Sequence, residues 1–237
     1  LSTDMLARLS VAFTEAADDS RVRVVVLAAT GPVFCSGHDL KEMTAARTTA
    51  DKGHEAYQQL FAACASVMEL IVRNPRPVIA EVAGTATAAG CQLVASCDLA
   101  MASNTVKFAT PGVNLGLFCS TPMVALSRNV SRKHAMEMLL SGDMVDASRA
   151  EQIGLINRAF NPDQLSSETM AMALKIASKS TMTIAIGKRA FYEQAEMPLN
   201  EAYAYTSQVM TENMLTRDAE EGIGAFLGKR TPEWQDQ

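Results

Sequence analysis

Two stretches of the sequence combine small residues with polar side chains suited to chemistry: FCSGHDLKEM (Phe34 to Met43) and GTATAAGCQLVASCD (Gly84 to Asp98). In the first stretch, His38 titrates near neutral pH and can act as an acid or a base. In the second, Gln92 is a neutral amide that donates and accepts hydrogen bonds but cannot take up a proton. These stretches therefore predict a binding site. They do not by themselves identify the residue that would act as its acid or base.

The small residues Ala88, Ala89 and Gly90 precede Gln92 at the predicted start of a helix. A helix start without bulky side chains lets a ligand lie against free backbone N–H groups. Ordinary turn formation and helix packing are the alternative explanation for the same three residues.

The elements around these stretches alternate between helix and strand. Ser2 caps a first helix, a β-branched run from Arg21 to Ala29 predicts a buried strand, and Gly31 opens a loop that continues through Gly37. A long helix follows with its apolar face from Tyr57 to Ile71, and further strands end at Gly84 and cover LAMAS. This alternation predicts an α/β fold with parallel strands, whose carboxyl ends usually carry the ligand site.

Composition narrows the class of protein. The chain has 237 residues, 48% hydrophobic and 20% charged, which is typical of a globular protein. Its net charge of −5 lacks the basic stripe of a nucleic-acid binder, and the run Val24 to Ala29 is too short to span a membrane. The five cysteines lack paired spacing, so we expect reduced thiols in packing roles and no metal site.

The sequence begins at Leu1 without an initiator methionine, directly before a helical pattern. This start suggests an N-terminally trimmed chain. We expect a cytoplasmic protein, or one of the mitochondrial matrix if a transit segment was removed.

Three later motifs complete a family pattern: FATPGVNLGL (Phe108 to Leu117), SGDMVDASRAEQIGLIN (Ser141 to Asn157) and DAEEGIGAFLGKRTPEW (Asp218 to Trp234). With the two first stretches, and in this order, they resemble the crotonase or enoyl-CoA hydratase/isomerase superfamily over nearly the whole chain. The resemblance implies a crotonase-like core of repeated ββα units over 1–130, carrying an oxyanion hole and a CoA site. It also implies a helical C-terminal region over 131–237 that forms homotrimers, often paired into hexamers.

The resemblance further implies an acyl-CoA thioester as substrate or ligand, with no resident cofactor, in fatty acid metabolism. It places the two oxyanion-hole donors on the backbone N–H groups of His38 and Ala89. The remaining substrate-binding candidates are Ser36, Gly37, Asp39, Leu40, Lys41 and Gly90 around the hole, Cys119 and Ser120 at the acyl pocket, and Lys229 and Arg230 near the CoA phosphates. For Ser120 and the neighbouring Thr121, helix capping is the alternative, and for the basic residues it is a solvated charged face.

The sequence departs from the family's hydratases at two positions. Those enzymes position water with two glutamates, which correspond here to Gln92 and Gly112. One acid or base typically contributes ~10²–10⁴-fold in rate, so efficient hydration by the usual lyase route is not expected. His38 is the first candidate for a replacement, although it can instead face solvent or bind Asp39. Cys91 can have a lowered pKa at the helix start, or simply pack.

Three functions follow from this pattern. The first is an enzyme of the enoyl-CoA hydratase/isomerase type that retains the oxyanion hole. The second is a non-catalytic oligomer that binds acyl-CoA. The third is a thioester hydrolase or isomerase that uses a different base.

Overall fold

The computed structural model describes residues 1–237, which form eleven α-helices, eight β-strands and one 3₁₀ helix. The helices are α1 (Thr3–Asp18), α2 (Leu40–Ala46), α3 (His54–Arg73), α4 (Ala89–Ser96), α5 (Pro122–Asn129), α6 (Arg132–Ser141), α7 (Ala147–Gln152), α8 (Leu165–Ala177), α9 (Thr181–Gln194), α10 (Leu199–Met214) and α11 (Arg217–Leu227). The strands are β1 (Val25–Ala28), β2 (Val33–Cys35), β3 (Val78–Val82), β4 (Thr85–Thr87), β5 (Leu99–Ser103), β6 (Lys107–Ala109), β7 (Val145–Asp146) and β8 (Arg158–Phe160). The 3₁₀ helix covers Pro111–Leu115. None of the helices combines the length and the apolar character that a membrane crossing requires.

The strands form two four-stranded sheets, in the orders β1-β3-β5-β8 and β2-β4-β6-β7. Consecutive strands alternate between the sheets, so the pairs β1/β2, β3/β4 and β5/β6 each give one strand to each sheet. All pairings are parallel except β6 with β7. The predicted α/β class and its repeated ββα units are therefore confirmed.

Strand β3 shows how the sequence pattern builds two packed layers. Val78, Ala80 and Val82 point into the main hydrophobic core, whereas Ile79 points to the other face and packs with Leu165 of α8. Side chains alternate between the faces of a strand, so a continuous apolar run is stable only when both faces are covered.

The predicted helices and the three main strands are confirmed, including the Ser2 cap, whose side chain accepts from the N–H of Met5. Five short strands were not predicted: β2, β4, β6, β7 and β8. They contain two or three residues each, which is too short for a period-two pattern to be recognised. Strand β2 lies within the stretch predicted as loop between Gly31 and Gly37.

Strands β7 and β8 come from beyond residue 130 and complete both sheets. The division at residue 130 stays a prediction, but the sheets themselves do not end there. The last four helices α8–α11 make the C-terminal part helical, as expected.

A buried ion pair ties α9 to this core. Lys188 Nζ lies 2.7 Å from a carboxylate oxygen of Asp98, and Tyr192 donates to the other oxygen at 2.9 Å. Asp98 also accepts from the N–H of Val78 at 2.7 Å. Asp98 therefore connects α9 to β3.

Candidate functional site

The loops that follow β2 and β4 meet because these two strands pair in parallel. A Cβ atom at Gly37 would lie 3.5 Å from the backbone nitrogen of Ala89 and 2.9 Å from the Cβ of Ala88. The Thr87 hydroxyl donates to the carbonyl of Ser36 at 3.2 Å. The structure therefore brings together the SGHD loop and the start of α4.

The contact between the loops leaves no room for a side chain at Gly90. A Cβ atom there would lie 2.0 Å from the carbonyl oxygen of Cys35. Ala88, just before α4, has φ 51° and ψ −121°, a conformation that L-residues rarely adopt. Such a strained residue costs about 1–3 kcal/mol and persists only where its surroundings hold it, often at functional sites.

Two backbone N–H groups are left without protein acceptors at this junction. The N–H of His38 donates to no group, while its neighbour Asp39 donates to the carbonyl of Leu1 at 3.1 Å. Ala89 is the first residue of α4, where N–H groups lack intrahelical acceptors, and no side chain caps this helix. Two adjacent free N–H groups can hold one oxygen atom of a ligand.

The imidazole of His38 is partly buried against α3. Its Nδ1 lies 3.3 Å from the carbonyl oxygen of Leu1, and its ring meets the ring of Phe61 edge-on at 5.6 Å. The Nε2 atom is enclosed and has no hydrogen-bond partner. Burial is the main cause that lowers the pKa of His38 below 6.5, so the ring is neutral at pH 7.

The two structural alternatives for His38 are therefore wrong: its free nitrogen is enclosed rather than solvated, and its partner is Leu1 rather than Asp39. The side chain of Asp39 instead caps α2, accepting from the N–H of Lys41 at 2.8 Å. A role of His38 as acid or base stays a prediction.

Gln92 lies one turn into α4 and is only 5% exposed. Its Oε1 is 3.9 Å from the Sγ of Cys64 on α3, a long contact that orients the amide. Burial raises the pKa of Cys64 to about 11, so its thiol is protonated and can donate. The Nε2 of Gln92 donates to no protein group, yet it is not sealed off from solvent.

The position of the second family glutamate is closed to any side chain. A Cβ atom at Gly112 would lie 2.8 Å from the carbonyl oxygen of Leu117 and 2.9 Å from the Sγ of Cys119. The N–H of Gly112 donates to the same sulfur at 3.3 Å. The loop after the 3₁₀ helix therefore fills the space that a carboxylate at position 112 would need.

Among the remaining acyl-pocket candidates, Cys119 is 7% exposed and Ser120 is exposed. Thr121 occupies the cap position of α5, but its side chain makes no capping hydrogen bond. The predicted lowering of the Cys91 pKa is wrong, because complete burial raises it to about 12. Cys91 therefore packs, and all five cysteines are free thiols.

The CoA-phosphate candidates lie in different parts of the fold. Lys41 and Leu40 are exposed on α2 beside the SGHD loop. Lys229 and Arg230 follow α11, and Arg230 forms an ion pair with Glu221 at 2.5 Å. The structure does not bring these basic residues together within one chain.

Sequence reasoning missed the contribution of α3 to the site. Phe61 contacts His38, and Cys64 contacts Gln92. The only available signal was their spacing of three residues on the apolar face of a predicted helix, which is equally typical of core packing. No group of three or more His, Cys, Asp or Glu side chains in the structure is placed to hold a metal ion.

Comparison with known proteins extends over the whole chain. The family model for enoyl-CoA hydratase/isomerase matches residues 1–237. The mitochondrial enoyl-CoA hydratase domain-containing protein 3 of Homo sapiens is 48% identical over 237 residues, covering 100% of this chain and 77% of that protein. Its mouse (Mus musculus) counterpart is 48% identical over 234 residues, covering 99% of this chain and 76% of that protein.

Two crystal structures are similar over nearly the same length. An enoyl-CoA hydratase from Mycobacterium smegmatis has a TM-score of 0.93 and 52% identity, covering 99% of this chain and 89% of that one. The structure of human enoyl-CoA hydratase domain-containing protein 3 has a TM-score of 0.93 and 49% identity, covering 99% of this chain and 90% of that one. The likeness thus holds in sequence and in fold.

Proposed function

Since the chain belongs to the enoyl-CoA hydratase/isomerase family, we propose that it binds an acyl-CoA thioester and polarises the thioester carbonyl with the N–H groups of His38 and Ala89. The observation that carries this proposal is the pair of unsatisfied N–H groups where the SGHD loop meets α4. The family and the crotonase fold agree with the expectation from the sequence.

The backbone N–H groups act on the oxygen where negative charge develops when a proton or a group leaves the α-carbon. Their dipoles are fixed by the two loops, so they need little reorganisation during the reaction. Removal of one such donor typically raises the barrier by ~2.7–4 kcal/mol. Ligand binding at this site therefore favours enolate formation from the thioester.

Hydration by two glutamates is not part of this proposal. Gln92 cannot take a proton from water, and the space beside Gly112 is filled by Leu117 and Cys119. This closure favours acyl-CoA binding, or enolate chemistry without added water, over hydratase activity. Hydrolysis or isomerisation would need a base, and the candidate beside the free N–H pair is the imidazole of His38, whose Nε2 has no hydrogen-bond partner.

The polarisation can be measured by infrared spectroscopy of bound butyryl-CoA labelled with ¹³C at the thioester carbonyl. We expect the carbonyl stretch to shift to lower frequency on binding. Ala89→Pro removes the N–H donor at the first residue of α4, so part of this shift should disappear in a variant that keeps its fold.

Ala89→Gly is the matched control, because it removes the methyl group and keeps the N–H. Circular dichroism and thermal unfolding of both variants check the fold. A bound carbonyl stretch equal to that in water, in the wild-type protein, would contradict the proposal.

Mass spectrometry of a mixed panel of enoyl-CoA and saturated acyl-CoA ligands separates the possible reactions. Free CoA indicates a hydrolase, and a gain of one water indicates a hydratase that does not need the family glutamates. We expect binding without hydration. A hydrated product formed at the rate of a glutamate-bearing hydratase would contradict that expectation.

We also propose a homotrimer or a hexamer, in which a neighbouring copy supplies Lys229 and Arg230 near the phosphates of CoA held by Lys41. Two observations support it: the separation of these basic residues within one chain, and apolar side chains left exposed on the C-terminal helices. The most exposed are Leu174, Phe191, Leu199, Tyr203, Leu215, Phe226 and Leu227, at 62–83%. Light scattering coupled to size-exclusion chromatography tests the state, and a monomer with full CoA affinity would overturn it.

For location, the mitochondrial names of the vertebrate relatives support the mitochondrial matrix. The similar Mycobacterium smegmatis structure comes from a bacterium and supports the cytoplasm. Cell fractionation distinguishes a protein of the mitochondrial matrix from one of the cytoplasm.

A further inference from the structure

The backbone of Leu1 pairs with the loop that carries the N–H of His38. The nitrogen of Leu1 donates to the carbonyl of Gly37, and the carbonyl of Leu1 accepts from the N–H of Asp39 at 3.1 Å. These two bonds form the pattern of a parallel bridge between Leu1 and His38, in which the N–H of the central residue points away from its partner. The opposite side of the loop faces the start of α4, since a Cβ atom at Gly37 would lie 3.5 Å from the nitrogen of Ala89. The bridge therefore directs the N–H of His38 toward the start of α4.

The imidazole of His38 adds a third bond to the same residue. Its Nδ1 lies 3.3 Å from the carbonyl oxygen of Leu1, and a carbonyl oxygen can only accept. Nδ1 therefore carries the ring proton, and in the neutral ring Nε2 is left as an unprotonated acceptor. The Leu1 carbonyl thus holds both the ring of His38 and the N–H of the next residue, Asp39.

The other nitrogen of the ring is enclosed. Nε2 is buried without a hydrogen-bond partner, and the ring meets the ring of Phe61 on α3 edge-on, with 5.6 Å between the two centroids. Transfer of a proton from a ligand to Nε2 would need direct contact or one bridging water. To make that contact, the ring would have to leave Phe61 and break its bond to Leu1. The position of the ring therefore favours a role in holding the loop over a role as a base.

We infer that His38 is a positioning residue, whose Nδ1–H bond to the Leu1 carbonyl fixes the direction of the backbone N–H that polarises the thioester carbonyl. The inference rests on the proposed function, because it takes that N–H to be a donor to the ligand. The packing of Gly37 and Gly90 brings the two loops together, and the imidazole restrains the peptide between Gly37 and His38. Donors stabilise developing charge best when their orientation is fixed before the reaction. Loss of the restraint should therefore weaken the polarisation without removing the site.

Infrared spectroscopy of bound butyryl-CoA, labelled with ¹³C at the thioester carbonyl, tests the inference with two variants of the full chain. His38→Asn keeps a donor at the place of Nδ1, because the amide nitrogen of asparagine is bonded to Cγ as Nδ1 is. His38→Leu has the shape of His38→Asn and no donor. We expect His38→Leu to lose part of the carbonyl shift and to bind butyryl-CoA about 2- to 10-fold more weakly, the range of one neutral hydrogen bond. His38→Asn should recover most of both losses.

Exchange of the α-protons of butyryl-CoA in deuterium oxide separates positioning from proton transfer. Asparagine cannot act as a base, so exchange that His38→Asn retains, or no exchange in the wild-type protein, agrees with the inference. Exchange that is lost equally in His38→Asn and His38→Leu would identify the imidazole as the base and overturn it. A carbonyl shift in His38→Leu equal to that of the wild-type protein would also overturn the inference alone. Absence of any shift in the wild-type protein would contradict the proposed function and the inference with it.

If either variant does not fold, ¹⁵N NMR of the three histidine rings in the wild-type protein decides. We expect His38 to be a neutral Nδ1–H tautomer at neutral pH, with an Nε2 signal that does not change when butyryl-CoA binds. His54→Gln and His134→Gln assign the signal by elimination. A protonated Nε2 in His38, or an Nε2 signal that changes on binding, would overturn the inference.

Discussion

The two sides of the candidate site differ in how they depend on side chains. On one side, His38 and Ala89 offer backbone N–H groups that no protein atom accepts. On the other side, where the family's hydratases carry glutamates, this chain has a neutral amide at Gln92 and no side chain at Gly112. The backbone side depends on how the loops pack, whereas the other depends on the residue types themselves.

The two sides also differ in what holds them in place. Gly90 packs on the Cys35 carbonyl and Gly37 on Ala88, so the contact between the two loops does not itself depend on the side chain at position 38. Packing cannot replace the acid–base function of a carboxylate, because that function depends on the side chain's own ability to bind and release a proton. At Gly112, Leu117 and Cys119 occupy the space that a Cβ atom would need.

The largest expected effect is on hydration itself. We expect crotonyl-CoA to be hydrated at least roughly 10²–10⁴-fold more slowly than by a family hydratase with both glutamates, because loss of a single acid or base already costs about that range. Loss of the conjugated enoyl absorbance measures the rate. Gln92→Glu alone should not restore the hydration rate, since position 112 still lacks a carboxylate. Hydration by the wild-type chain at the rate of a family hydratase would contradict the difference between the two sides of the site.

The closure at Gly112 predicts the next effect, on stability. Gly112→Ala should lower the free energy of unfolding by ~1–3 kcal/mol, the usual cost of overpacking, because its Cβ would meet Leu117 and Cys119. Gly112→Glu should cost at least as much. Urea unfolding measures both.

Gly187→Ala on α9 is the matched control, because nothing lies within 4 Å of the Cβ position there. It should stabilise the helix by up to about 1 kcal/mol. Equal stability of the Gly112 and Gly187 variants would show that the loop after the 3₁₀ helix yields easily, and that position 112 is open to a carboxylate.

The burial of His38 predicts a dependence of stability on pH. Its pKa in the folded state lies below 6.5, so below pH 6.5 the unfolded chain binds this proton more readily than the folded chain. The free energy of unfolding should therefore be unaffected by this group above pH 6.5 and decrease as the pH falls from there through the folded-state pKa.

His38→Gln should flatten this part of the stability profile, measured by urea unfolding from pH 7.5 down to about 5, the range over which a histidine titrates. His54→Gln, at an exposed position on α3, is the matched control substitution. A slope that persists in His38→Gln would show that the imidazole is solvated in the folded protein.

The smallest expected effect is on the affinity that comes from the nucleotide part of CoA. Lys41→Ala should weaken acyl-CoA binding by roughly two- to fivefold, in line with a solvent-exposed charge interaction. Added salt should reduce this difference, because it screens exposed charges. Lys133→Ala on α6, also exposed, is the control, and an equal loss of affinity in both variants would remove Lys41 from the site.

The main helices and the buried strands were predictable from the sequence. Apolar periodicity marked α1 and α3, and the small residues before Gln92 predicted a helix start open to backbone contacts. The identity of Gln92 and Gly112, placed by the family resemblance, was enough to predict that the paired-carboxylate route does not operate, and this stays a prediction. The short strands β2 and β4, which bring the two loops together, left no readable pattern.

Tertiary structure alone decided how the site is closed. The sequence does not show that Leu117 and Cys119 fill the space at Gly112, that His38 turns its Nε2 inward, or that Cys64 orients the amide of Gln92. Each of these depends on a contact between segments whose relative position is set by packing: Cys64 and Gln92, for example, are 28 residues apart. Local sequence preferences encode helices, strands and turns, but which side chains meet across them depends on how the whole core packs.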